Sequence, residues 1–340
     1  MIKCDKCNNE SKILLAYGPH NFCEKHFTEF FEDRVKKTIR KYELIKPKEK
    51  LLVALSGGKD SIVTLRLIHK FYNNRNEINA LIIDEGVKGY REKAIKVAKD
   101  TCNKLKIPFK LVEFKKEFEI TNDQIMPILL ENKKLGGTCA FCGTLRRNIM
   151  NKYAKKLKFD KLITGHNLDD EVQSIVMNIF NNDFDRLKRI GASAGFIEHT
   201  GFVKRIKPLY QTPEKEIIAY CLFNGIKHYS DVCCPYSWTA KRNEYREMIN
   251  TFENRFPGTE YSILRFYENL KPLLIPKKSE KNKLSKKLKE CNICLEPTEN
   301  EICKACEQIK KLKEFKNKKT KKKEIKSKLT CNTTKFHKIK

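Results

Sequence analysis

The sequence predicts an α/β fold: a doubly wound parallel sheet, with a small cysteine knuckle near each end of the chain. Three observations predict it. Short apolar runs at 51–55, 79–84, 109–113 and 160–164 alternate with helix-periodic segments at 61–73, 89–106 and 144–157, the rhythm of successive βα units. The first run ends in the turn Ser56-Gly57-Gly58-Lys59-Asp60-Ser61, which opens the next helix. Paired knuckle spacings lie toward both termini, Cys-x-x-Cys with Cys-x-x-His at the first and two Cys-x-x-Cys at the second; the second segment is too short to bury a core of its own, so a metal is expected to supply its folding energy.

Composition narrows the class. The chain has 340 residues, 40% of them hydrophobic, enough for one sizeable core. No apolar run approaches the roughly 18–20 residues needed to span a bilayer, and Met1-Ile2-Lys3-Cys4 opens no signal-peptide h-region. A cytoplasmic protein with no membrane partner is expected. The net charge is +29, and residues 277–340 hold 22 lysines against 8 glutamates; such a surface predicts a polyanionic partner, nucleic acid foremost. Fourteen cysteines without a secretion signal point to metal or redox chemistry rather than disulfides.

Taken in chain order, Cys4-x-x-Cys7 and Cys23-x-x-His26 supply three sulfurs and a nitrogen, the donor set of a closed tetrahedral zinc site. An amphipathic helix over 27–46 carries Phe27, Phe31, Val35 and Ile39 on one stripe and stops before Pro47. The strand at 51–55 then runs into the glycine-rich turn. There, free N–H groups and the positive end of a helix dipole face an anion. Gly57 and Gly58 permit close approach, Lys59 adds a charge, and Ser56 and Ser61 add hydroxyls. Asp60 would repel a phosphate unless a cation lies between them, so Mg²⁺ is implied. The spacing is not that of a Walker A loop. Asp84-Glu85-Gly86 and Gly165-His166-Asn167 fall at the carboxyl ends of later strands, where doubly wound sheets bind ligands.

Cys139-x-x-Cys142, followed by Arg146 and Arg147, has no second knuckle nearby. A third, distant cysteine from Cys221, Cys233 or Cys234 would make a three-thiolate iron–sulfur site with one open iron; a redox dithiol or persulfide carrier is the competing reading. Asp169, Asp170 and Glu171 open a helix at 170–181 and would hold Mg²⁺ or position a reacting group, or merely cap the helix. Residues 185–207 read as a basic, glycine-containing loop suited to a phosphate backbone. Helices at 213–225 and 241–255 complete the body. Cys291-x-x-Cys294 and Cys303-x-x-Cys306 form a second zinc knuckle by spacing. The expected domains are a finger at 1–28, a catalytic body at 29–276, a basic linker at 277–290, the knuckle at 291–307 and a lysine-rich tail at 308–340.

The loop Ser56–Ser61 matches the SGGxDS signature of the N-type ATP pyrophosphatases. With it stand the N-terminal finger, Cys139-x-x-Cys142 before Arg146-Arg147, Thr164-Gly165-His166-Asn167-Leu168-Asp169-Asp170-Glu171, Cys234-Pro235-Tyr236-Ser237 and the C-terminal knuckle. In this order they resemble the PP-loop tRNA 2-thiouridine synthetases of the TtuA, NcsA and Ctu kind, over nearly the whole chain. The resemblance implies that Ser56, Gly57, Gly58, Lys59, Asp60 and Ser61 bind the phosphates of ATP, with Ala54 and Ile83 lining the adenosine site through their backbone. Gly165 and Asp170 would complete that site. Cys139, Cys142 and Cys234 would hold a [4Fe–4S] cluster, Cys234 because it directly precedes Pro235-Tyr236-Ser237. Two Zn²⁺ would be structural, on Cys4, Cys7, Cys23 and His26 and on Cys291, Cys294, Cys303 and Cys306. Cys139, Cys142, Cys234, Lys59 and Asp170 form the implied catalytic set. The implied reaction adenylates the C2 oxygen of tRNA uridine 34 or 54, then transfers cluster-bound sulfide and releases AMP and pyrophosphate. Implied partners are tRNA, a sulfur donor (sulfide or a ubiquitin-like thiocarboxylate carrier) and a second copy of the chain. The extra Cys233 and the long lysine tail depart from the pattern.

Overall fold

The computed structural model describes residues 2–132, 135, 137–194, 201–230, 234–274 and 288–315. Cys233, nearly all of the expected basic linker and the tail past 315 lie outside them. The chain opens on a hairpin, β1 (Ile13–Leu15) and β2 (His20–Phe22), that leads into α1 (Glu24–Lys41). The body follows as β3 (Lys50–Ala54), α2 (Lys59–Tyr72), β4 (Glu77–Asp84), α3 (Arg91–Leu105) and β5 (Phe109–Glu113). After α4 (Phe114–Phe118) and α5 (Asn122–Glu131) come α6 (Thr138–Lys156), β6 (Lys161–Ile163) and α7 (Leu168–Phe180). Then α8 (Phe184–Leu187), β7 (Ser193–Ala194), β8 (Lys204–Ile206), α9 (Glu214–Phe223), α10 (Arg242–Arg255) and α11 (Thr259–Leu274) close the body.

Five parallel strands lie in the order β5-β4-β3-β6-β8, with β7 antiparallel at the edge. The chain enters at β3, winds outward to β5, then returns to β6 on the other side. The strand order therefore reverses between β3 and β6, where such sheets open a crevice beyond their carboxyl ends. Alternation along β3 divides the core between the two faces. Leu51 and Val53 pack with Phe27, Phe31 and Val35 of α1, whereas Leu52 packs with Phe141, Leu145 and Ile149 of α6. Each face also takes one knuckle: Cys4, Phe22 and Cys23 join the first cluster, and Cys291, Cys303 and Leu312 the second. The second knuckle is a hairpin, β9 (Lys289–Glu290) and β10 (Pro297–Thr298), followed by a helix over 304–315.

Beyond α4, α5 and α11, which were not expected, two expected segments come out differently. α6 starts at Thr138, not at 144, because its first turns are cysteines and Gly143, residues of modest helix propensity that packing overrides. Cys139 and Cys142 thereby sit three apart, on one helix face. The expected loop at 185–207 contains β8, whose register sets Leu162 against Arg205 and buries Ile206. Three residues, two of them basic, carry no strand periodicity; pairing to β6 decides their state.

Candidate active site

Hydroxyls built into the turn hold the glycine-rich loop. Ser61 Oγ accepts from the Ser56 amide at 3.1 Å and donates to the Gly58 carbonyl at 3.0 Å. Gly57 has φ +93°, and a Cβ there would lie 2.1 Å from the Ala94 carbonyl oxygen, so no other residue fits. Gly58 is the N-cap of α2 without a side-chain cap, which leaves the first-turn amides for a ligand. Across the switch point, Gly165 packs on the same loop: a Cβ would meet the Asp60 carbonyl carbon at 2.8 Å and the Ser61 nitrogen at 2.9 Å. Asn167 ties the two together, donating from Nδ2 to Asp60 Oδ1 at 3.1 Å.

The acids that follow have three different fates. Asp169 Oδ2 accepts from the Glu214 amide at 2.7 Å, capping α9. Glu171 is buried and paired with Lys207 Nζ at 2.6 Å. Asp170 forms a capping box with Asn167 and pairs with Arg242 Nη1 at 3.0 Å. Thus the capping and functional readings of Asp170 share one geometry. Burial pushes the Asp60 carboxyl up, and the negative charge of Asp170 adds to the effect; two like charges beside a phosphate loop fit a divalent cation. Lys59 Nζ is engaged by Glu214 Oε1 at 2.5 Å and Asp60 Oδ2 at 3.3 Å. Ala54 and Ile83 end neighbouring strands, and the Ile83 carbonyl is taken by Arg91 Nη2 at 2.5 Å. His166 Nδ1 lies 2.9 Å from Thr164 Oγ1.

The chain around Cys234-Pro235-Tyr236-Ser237 is stapled to α5 and to the start of α6. Tyr236 OH donates to Asp123 at 2.7 Å, the Thr138 and Thr239 hydroxyls bond each other, and Cys139 Sγ lies 4.0 Å from the Tyr236 carbonyl oxygen. Burial pushes the Cys142 thiol up to about 12; Glu85, Cys234 and Cys139 raise it further and Arg146 opposes them. Cys234 is likewise raised, first by burial. Cys142 and Cys234, held neutral by burial, are poor bare nucleophiles. A cationic metal centre would reverse that by stabilising the thiolates. The same segment is tied to the glycine-rich loop: the Tyr229 amide donates to the Gly57 carbonyl at 2.9 Å, five residues before Cys234.

Among the described residues, two groups place four metal-ligating atoms within 4.8 Å of one another: Cys4, Cys7, Cys23 and His26, and Cys291, Cys294, Cys303 and Cys306. Cys7 and Cys23 sulfurs are 3.8 Å apart, Cys294 and Cys303 sulfurs 3.5 Å, and Cys4 Sγ lies 3.4 Å from His26 Nδ1. These are close to the edges, about 3.5–3.8 Å, of a tetrahedron with Zn–S near 2.3 Å and Zn–N near 2.0 Å.

Sequence reasoning did not single out Arg91, Glu214 or Arg242. None belongs to a local motif; each reaches the site across tens of residues of chain, and only the fold brings it there. Arg147 and Arg205 lie close enough to act on each other, and among the described residues neither has an ion-pair partner. Burial pushes Arg205 down to about 10 with Arg147 adding to it, and Arg147 is lowered by burial, Arg186 and Arg146.

A PP-loop domain family model matches residues 24–251. The tRNA-5-methyluridine(54) 2-sulfurtransferase of Pyrococcus horikoshii is 36% identical over 303 residues, 89% of this chain and 92% of that one. The tRNA 2-thiolation protein NcsA of Haloferax volcanii is 32% identical over 317 residues, 89% of this chain and 97% of that protein. The solved U34-tRNA thiolase NcsA from Methanococcus maripaludis, with its [4Fe–4S] cluster, superposes with a TM-score of 0.76 at 33% identity, covering 92% of this chain and 97% of that one. With this fold, this loop and these relatives, the chain belongs to the PP-loop family of tRNA 2-thiolation proteins.

Proposed function

We propose that the protein is an ATP-dependent tRNA uridine 2-sulfurtransferase. ATP would lie with its phosphates on the amides of Gly58–Ser61 and on Lys59, and Asp60 and Asp170 would hold an Mg²⁺ that offsets the charge of the phosphates. The uridine C2 oxygen attacks the α-phosphorus and pyrophosphate leaves. Lys59 and the loop amides stabilise the charge that builds on the phosphates. A sulfide-level sulfur then attacks C2; the C2–O bond breaks and AMP departs with the oxygen, so no electrons are gained or lost. Cys139, Cys142 and Cys234 would hold a [4Fe–4S] cluster, whose fourth iron supplies an open position for that sulfur. The two four-ligand knuckles take structural Zn²⁺.

The observation that carries this reading is the attachment of the chain around Cys234 to the phosphate loop through the Tyr229 amide, to the cysteine helix through Thr239 and to α5 through Tyr236. That attachment supports a reading in which an activating and a sulfur-bearing function work at one mouth. The arginines around Arg147 and Arg205 would grip tRNA phosphates, and the base would leave its stack to enter. The target is uridine 34 or 54, since relatives named for each position match. Sulfide or a thiocarboxylate carrier supplies the sulfur, and the protein acts in the cytoplasm as a homodimer. Among the described residues no helix is long and apolar enough to cross a membrane. Nucleoside mass spectrometry of tRNA from a deletion strain is the test. Wild-type chain restores 2-thiouridine and Cys139→Ala does not; restoration by Cys139→Ala, with a small-molecule adenylation activity intact, would make the protein a ligase of another kind.

A further inference from the structure

Glu85, just past β4, is 6% exposed. Its two oxygens are held by two different guanidiniums, Arg91 Nε at 2.6 Å from Oε2 and Arg146 Nε at 3.1 Å from Oε1. Arg91, 4% exposed, donates its remaining nitrogens to the carbonyls of Ser56 at 2.9 Å and Ile83 at 2.5 Å. It therefore grips the carboxyl ends of β3 and β4, the frame of the phosphate loop. Arg146 stands on the other side, one helical turn past Cys142 on α6. Its charge acts on both Cys142 and Cys234. One buried carboxylate thus joins the nucleotide side of the crevice to the cysteine side. Neutralising Glu85 needs one arginine; with two, the trio keeps a net positive charge against the sulfurs. A cluster held by three thiolates carries net negative charge, and neighbouring charge sets its potential.

We propose that Glu85 is a positioning residue: anchored by Arg91 on the nucleotide side, it holds the Arg146 guanidinium beside Cys142 and Cys234 and so fixes the separation between the phosphate loop and the sulfur site. The inference rests on the cluster reading above. The chain does this with two ion pairs that converge on one buried carboxylate, where low local polarity strengthens the attraction.

The experiment is a double-variant cycle on the full-length protein purified without oxygen, comparing wild type, Glu85→Gln, Arg146→Lys and the pair. In Glu85→Gln, kcat for tRNA thiolation falls about 10–100-fold, the loss expected for a misplaced reacting group, while KM for ATP moves less than about threefold. The midpoint potential of the cluster shifts and the spectrum of its reduced form by electron paramagnetic resonance changes, because the carboxylate charge is lost and the Arg146 guanidinium leaves its place. The pair loses no more than the worse single variant, since both changes break one contact. Losses that multiply in the pair overturn the proposal. So does a Glu85→Gln protein whose potential and spectrum are those of wild type, whatever its melting temperature. Should Glu85→Gln fail to fold, Glu85→Asp, which keeps the charge but not the reach, takes its place with the same expectations. Wild-type protein without iron would overturn the cluster reading instead, and the cycle in kcat would still decide the role of Glu85.

Discussion

Lys59 Nζ and Glu214 Oε1 lie 2.5 Å apart, so the lysine of the glycine-rich loop is already paired. Burial pushes the Lys59 amine down, but Asp60 and Glu214 outweigh it and hold its pKa above the ordinary lysine value. Lys59 is therefore charged throughout the physiological range, and α9 fixes its direction. Lys59→Met should lower ATP-dependent AMP release by about 10²–10³-fold in kcat, the usual loss for one preorganised charge at a reacting phosphate. Glu214→Gln keeps a partner for the amine and removes a negative charge facing ATP, so KM for ATP should fall a few-fold. Steady-state kinetics of AMP release reads both.

Gly165 is the contact point between the two loops of the crevice. Alanine there would press its Cβ onto the backbone of Asp60 and Ser61, 2.8 and 2.9 Å away. Backbone cannot yield as a flexible side chain does. Gly165→Ala should weaken ATP binding at least about tenfold, or 1.4 kcal/mol, as read by calorimetric titration, and leave the metal content of the knuckles unchanged.

Glu260 is buried beside Asp169. Burial pushes its carboxyl up to about 9, and Asp169 and Glu253 add to the rise; burial also takes Asp169 to about 6. A carboxyl raised on folding binds more protons in the native state than in the unfolded one. Its stabilising effect is complete below the unfolded pKa and is lost as pH rises through the folded value. The melting temperature should therefore decline from about pH 5 to pH 9, with Glu260 dominating above pH 6. Glu260→Gln, which keeps the hydrogen bond without the titration, should flatten that decline.

The C-terminal knuckle is fastened to the cysteine helix. Asn151 of α6 donates to Glu296 and, at 3.2 Å, to the Gly201 carbonyl, and accepts from the Val203 amide at 3.0 Å. Asn148 Nδ2 lies 3.8 Å from Cys294 Sγ, placed to orient a metal-bound thiolate. Cys291→Ser should halve the zinc of the chain and loosen α6, seen as faster hydrogen exchange across 138–156. Asn151→Ala should cost about 1–3 kcal/mol by leaving buried polar groups unpaired.

Much of this was legible in the sequence because local chemistry and global fold agree there. Leu51–Ala54 is the unbroken apolar run of a strand buried on both faces, Gly57 can only be glycine, and the knuckle spacings point to the two four-residue groups that the fold draws together. The body's α11, with Leu264 and Tyr267 buried, was not legible, since only its packing on α7 gives it a home. The Arg91–Glu85–Arg146 bridge and the Lys59–Glu214 pair were hidden for a deeper reason. Each joins residues from different elements, and a single sequence carries no signal for such contacts. The early start of α6 was masked by Gly143, yet it is what sets Cys139 and Cys142 on one face.

The central claim is that a phosphate-activated uridine and a metal-held sulfur meet in one crevice. Counting iron and acid-labile sulfide per chain in protein purified without oxygen, alongside 2-thiouridine formed per chain, tests it most directly. The account predicts about four of each in wild type, loss of both together with thiolation in Cys139→Ala, Cys142→Ala and Cys234→Ala, and pyrophosphate release that requires tRNA. Full thiolation by protein free of iron would contradict it.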